Sequence, residues 1–139
     1  MDLSKAILAN LQEVGDRRAK LLEEAEMHLN KASISCRSIN FVELEPDILL
    51  TWAKFHYSRG NVELAKIHLD EALYIANRCE YKLIQADIHN FIAYIAKKEN
   101  DALAAKQHAT LALEIARCDG SSLSYKPAMD TAIELMKGL

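Results

Sequence analysis

The residues with the plainest capacity for metal binding or nucleophilic chemistry are five histidines and three cysteines. His28, His68 and His108 recur at intervals of 40 residues, each inside an A-x-x-H-x-x-x-A pattern that begins at Ala25, Ala65 and Ala105. Equivalent points on successive repeats lie at least one interhelix spacing apart, ~8–10 Å. A zinc ion needs its ligands at ~2.0–2.3 Å, so the three histidines cannot share one ion, and packing between repeats is their expected role. Cys36, Cys79 and Cys118 fall one per repeat, with no C-x-x-C and no close histidine pair. They are expected to be buried structural thiols. Asp87-x-His89 has the residue types of an acid–base pair, but residues two apart on a helix point to different faces. No nucleophile, base and orienting group fall at a recognisable spacing. The sequence therefore predicts no enzyme, no metal and no cofactor.

The elements that carry these residues are written more than once. "AKIHLDEALYIANRCE" (Ala65–Glu80) and "AKQHATLALEIARCDG" (Ala105–Gly120) match at seven of sixteen positions when shifted by 40. Repeats of this length bury one another's faces, which is the reason to write one helix repeatedly. Apolar residues at helical spacing fill each segment, including Leu64, Ile67, Ala72 and Ile75 in one, and Ile84, Ile88, Phe91, Ile92 and Ile95 in another. The punctuation agrees: Pro46 suits a first helical turn, while Gly60-Asn61, Asn100-Asp101 and Asp119-Gly120 suit helix ends. Seven helices are predicted, at 2–14, 16–38, 44–58, 62–78, 81–98, 101–117 and 125–137. No segment alternates with period two for the length of a strand, so the fold class is all-α.

Composition narrows the function. The chain has 139 residues, 50% hydrophobic and 27% charged, and a formal charge of −3. Nucleic-acid binding needs a basic stripe, and the longest basic runs are Arg17-Arg18 and Lys97-Lys98, so no nucleic-acid partner is expected. No apolar run approaches the ~18–20 residues of a membrane span, and the N-terminal residues do not form a signal peptide, so no membrane partner is expected. An odd number of cysteines suits a reducing cytoplasm. Glu23-Glu24, Glu26 and Glu43-x-Glu45 read as solvated faces, and Trp52 and Phe91 as core.

The pattern resembles the tetratricopeptide repeat. Ala53, Gly60, Ala65, Leu69, Ala72 and Leu73 match that family's small, turn and packing positions in one copy, and Ala93, Asn100, Ala105, Ala109, Ala112 and Leu113 in the next. The period of 40 exceeds the family's usual length of about 34 residues. The first copy departs further, with its Gly15-Asp16 turn ten residues before Ala25 rather than five. The resemblance implies one domain over 1–139: a right-handed superhelix of three antiparallel helix pairs (about 1–40, 41–80 and 81–120) and a capping helix within 121–139. It also implies a concave face lined by the first helix of each pair. On that face it puts Asp47, Leu50, Lys54 and Tyr57 in the second copy, and Asp87, Asn90, Tyr94, Lys97 and Lys98 in the third. The expected ligand is a protein or peptide segment, and the expected role a scaffold. The alternative is a regulatory sensor of a small molecule. The full basic clamp by which some such repeats hold a terminal carboxylate is absent.

A second resemblance is narrower. "CEYKLIQADIHNF" (Cys79–Phe91), "ARCDG" (Ala116–Gly120) and "YKPAMD" (Tyr125–Asp130) are similar to the C-terminal repeat regions of bacterial NACHT-type signalling ATPases. No phosphate loop of the form G-x-x-x-x-G-K-[ST] is present, so the chain is not expected to be the ATPase itself. The first helix, 2–14, carries more apolar surface (Leu3, Ile7, Leu8, Leu11 and Val14) than one neighbour covers. A two-fold homodimer through Ile7 and Leu11 is the expectation there.

Overall fold

The computed structural model describes the backbone of residues 3–38, 44–118 and 124–139, and the side chains of residues 12–35, 44–118 and 124–139. It contains six helices and, among the described residues, no strand: α1 (Leu3–Ser38), α2 (Glu45–Ser58), α3 (Val62–Arg78), α4 (Lys82–Lys98), α5 (Ala102–Arg117) and α6 (Lys126–Met136). The chain divides into two compact units, residues 1–41 and 42–139.

The first unit holds α1 alone. Where the sequence predicts a turn at Gly15-Asp16, the helix runs through. Glycine in a helix interior costs about 1 kcal/mol against alanine but does not forbid helical angles. The Arg17 guanidinium meets the Glu13 carboxylate at 2.8 Å, an i,i+4 pair that straddles the glycine. No proline follows to force a break. None of the side chains of residues 12–35 is buried; Leu22, Ala25, Leu29 and Ser33 are half-buried and the rest exposed.

The second unit is helical-repeat-like. Leu49, Leu50 and Ala53 of α2, Ala65, Leu69, Ala72 and Ala76 of α3, and Ile84, Ile88 and Ile95 of α4 form one buried cluster. At the shift of 40, Ala65, Leu69, Ala72 and Ala76 become Ala105, Ala109, Ala112 and Ala116, all buried. Alanine at these points lets the helices of a pair approach closely, so the repeated residues are the contact line itself. Ile67, which shares the apolar spacing, lies on the outer side and is exposed. Helix α4 packs against α2, α3, α5 and α6, and α6 closes against α5 and α4. A smaller cluster of Ala86, Ala116 and Ala128 joins these last three, with Tyr125 and Met129 packed on it.

The links are one turn, used three times. Gly60, Glu80 and Asn100 all have positive φ, 82°, 57° and 62°. In each turn the next residue's N–H reaches back five positions: Asn61 to His56 O, Tyr81 to Ala76 O and Asp101 to Ala96 O, each at 2.9 Å. These bonds occupy helix-end carbonyls that would otherwise lack partners. The helices after the first and third turns are capped alike, Asn61 accepting from the Leu64 N–H and Asp101 from the Ala104 N–H, whereas Tyr81 offers α4 no side-chain cap. The predicted stop at Asp119-Gly120 lies outside the described residues.

Two cysteines correct the sequence expectation. Cys79 and Cys118 are exposed, because each sits at the C-terminal cap of its helix, past the last inward position. Cys36 lies outside the residues whose side chains are described.

Candidate functional site

Helices α2, α4 and α6 present one shared face, and a groove of about 330 Å³ runs along it, lined by Lys54, Asp87, Asn90, Phe91, Tyr94, Thr131 and Leu135. The helical advance of three and four residues sets Asp87, Asn90, Tyr94 and Lys98 along one side of α4. Phe91, read from sequence as core, occupies the same side and is only half-buried.

One end of the groove is aromatic and cationic. The rings of Tyr57, Phe91 and Tyr94 contact one another with centroids 5.8–5.9 Å apart. Lys54 Nζ lies 5.8 Å from the centroid of Phe91, and Lys98 Nζ lies 5.6 Å from that of Tyr94. Neither lysine makes an ion pair with any described residue, so the ring faces hold both cations without neutralising them. Burial and the negative charge of Glu99 raise the Tyr57 phenol above its usual range, with the neighbouring Tyr94 acting in the same sense.

The other end is acidic. Asp87 accepts a hydrogen bond from the Tyr125 hydroxyl at 3.1 Å. Desolvation raises the pKa of Asp87, opposed by that bond and by the charge of Lys54, and assisted by the charge of Asp47. Desolvation also raises Asp47, against Lys54. Asp47, Tyr81, Ile84, Asp87 and Tyr125 line a second hollow of about 470 Å³ that shares Asp87 with the first.

Between the two ends, α6 is held by side chains of α4. Asn90 Nδ2 donates to the Ala128 carbonyl at 3.0 Å, which fixes the amide orientation. Its Oδ1 is buried and has no hydrogen-bond partner. Lys97 Nζ donates to the carbonyls of Leu135 and Lys137, at 3.1 and 3.0 Å, and so caps the C-terminal end of α6. Asn90 and Lys97, expected on a concave surface, thus bind α6 as well. Tyr125, Thr131 and Leu135 join the site from a helix read in sequence only as a cap. Their contribution could not be found from spacing, since it depends on where α6 docks.

The repeated histidines meet other histidines rather than one another. His68 stacks on His56, with ring centroids 5.2 Å apart, and His56 stacks on Trp52 at 5.4 Å. His108 faces His89, Nδ1 to Nδ1 at 3.0 Å, so one ring donates and the other accepts across a single shared proton. Burial, with the neighbouring His108, lowers His89 to about 4, and burial also lowers His108. His28, on α1, is exposed. Among the described residues, no three His, Cys, Asp or Glu side chains converge as metal ligands, and no helix is long and apolar enough to cross a membrane.

Ile7 and Leu11, where the sequence predicts self-association, belong to α1, but their side chains lie outside the described residues. No protein-family model, curated protein or solved structure matches the chain.

Proposed function

We propose that this chain is a non-enzymatic interaction module that holds a protein segment along the groove of α2, α4 and α6. Its helix pairs would curve as tetratricopeptide repeats do, making this face concave, and it would serve as a cytoplasmic scaffold within a signalling system. The carrying observation is the division of the groove into a cationic aromatic end, with Lys54, Tyr57, Tyr94 and Lys98, and a carboxylate end, with Asp47 and Asp87. An extended segment with an acidic residue toward one end and a basic residue toward the other complements that polarity.

A peptide display selection against the whole chain tests this. Enriched peptides should carry that charge order, and Lys54→Glu or Tyr94→Ala should weaken them about tenfold or more. Selection of nothing saturable, or binding indifferent to both substitutions, would remove the proposal. The size of the groove favours one alternative, since about 330 Å³ suits a small ligand. A metabolite that saturates the chain and loses affinity in the Tyr94→Ala variant would decide for a sensor instead.

A further inference from the structure

A second cleft, of about 320 Å³, is walled by α3, α4 and α5. It shares no lining residue with the groove of α2, α4 and α6, because it lies on another side of α4. Its floor is apolar. Leu73 and Ile92 are half-buried there and offer open hydrocarbon surface, next to Leu69, Ile95 and Ala96, which are buried. On α3 and on α4 these positions advance by three and four residues, which holds each set on one face of its helix.

The mouth is charged in one sense. Asp70, Glu99 and Asp101 stand exposed around it, and Lys66 is the only lysine or arginine among its lining residues. Lys66 Nζ meets both Glu99 carboxylate oxygens, at 3.0 and 3.2 Å, so those two charges cancel. Asp70 and Asp101 make no ion pair with any described residue. One Asp101 oxygen accepts from the Ala104 N–H, a cap bond that leaves the carboxylate charge in place. His108, on the wall, shares its Nδ1 with His89, and burial lowers its pKa, so it adds no positive charge at neutral pH. Two uncancelled negative charges therefore stand over a hydrocarbon floor.

We propose that this cleft is a second ligand site, for a small organic ammonium ion with an apolar body. The body covers Leu73 and Ile92, and the nitrogen stays at the mouth with the carboxylates of Asp70 and Asp101. Each half of the site rejects a different competitor. An apolar carboxylate is repelled at the mouth, and a neutral apolar molecule forgoes the attraction there. A bare metal ion gains nothing from the floor and finds no set of three ligands among the described residues. The volume lies at the small end of ligand pockets, about 300–1,000 Å³, which favours a molecule over a protein segment. The site is independent of the segment proposed for the groove.

Titration of the isotope-labelled full chain with hexylammonium, followed by amide NMR shifts, is the test. Hexanol and hexanoate carry the same body with a neutral and an anionic head. Hexylammonium should saturate with a Kd of about 1 mM, moving amides of α3 and α5 rather than those of α2 and α6. Hexanol should bind roughly tenfold more weakly, and hexanoate more weakly still. Asp70→Asn should cost about threefold in Kd and Asp70→Lys about tenfold. Asp70 is exposed and unpaired, so both variants should fold, and an otherwise unchanged amide spectrum verifies that. No saturation by roughly 10 mM would overturn the proposal. So would hexanol binding as tightly as hexylammonium, shifts confined to α2 and α6, or affinity unmoved in both Asp70 variants.

Discussion

At the scale of single residues, the pair of His89 and His108 does what three separated histidines cannot. Two neutral imidazoles satisfy each other across the α4–α5 seam while one proton lies between them. Protonating His89 there is unfavourable, so its folded pKa, about 4, lies below the unfolded value near 6.5. The unfolded chain therefore binds the proton first as pH falls. Stability is full above pH ~6.5 and lost progressively down to about pH 4, by up to about 3 kcal/mol from this group. Asp47 and Asp87, raised by desolvation, act in the opposite sense and gain relative stability on acidification. Urea midpoints at pH 7 and pH 4.5, compared between the unmutated chain and His89→Leu, isolate the histidine. The variant should lose markedly less on acidification, and equal losses would sink the assignment. Sequence gave His108 its repeated position. It could not show the partner, because His89 lies on another helix and has no counterpart 40 residues away: Leu49 stands there. The thiols misled for a related reason, since a cap position is apolar in pattern but points outward.

At the scale of elements, the helices of the second unit were legible because turn chemistry and apolar spacing agree at every boundary. The 62–78 helix appears as predicted, and those at 44–58, 81–98, 101–117 and 125–137 shift by no more than one residue at either end. Glycine alone at position 15 carried no such agreement, and the helix continued. Among the three turns, Glu80 is the costly one, since a residue with a Cβ in the left-handed region loses about 1 kcal/mol or more. Glu80→Gly should raise stability by roughly that amount less the added freedom of the unfolded chain, about 0.5 kcal/mol net. Gly60→Ala should lower it by about 1 kcal/mol, although a Cβ there meets nothing within 4 Å. Chemical denaturation of both variants provides the check, and matching signs would contradict the account.

At the scale of the whole molecule, the groove was only half legible. The stripe on α4 followed from arithmetic along one helix, whereas Tyr125, Thr131 and Leu135 reach the groove through docking of α6. Truncation at residue 123 tests how far that docking matters. It removes the partners of Asp87, Asn90 and Lys97 and uncovers Ala86 and Ala116. Aggregation, seen as a loss of soluble protein on purification, is the expected result, and a soluble truncated chain of unchanged stability would count against a structural role for α6. The three matched turns carry a different consequence, about how such a chain can change length. The junctions after Gly60 and after Asn100 offer the same hydrogen bonds on either side, so residues 61–100 form a cassette whose two ends are interchangeable. Adding or losing that cassette would lengthen or shorten the groove while every junction stays intact. An insertion of one residue inside a helix instead turns everything beyond it by about 100° and takes the alanines off their contact line. Lineages of this protein should therefore differ in length by steps of forty residues, with short insertions confined to the links.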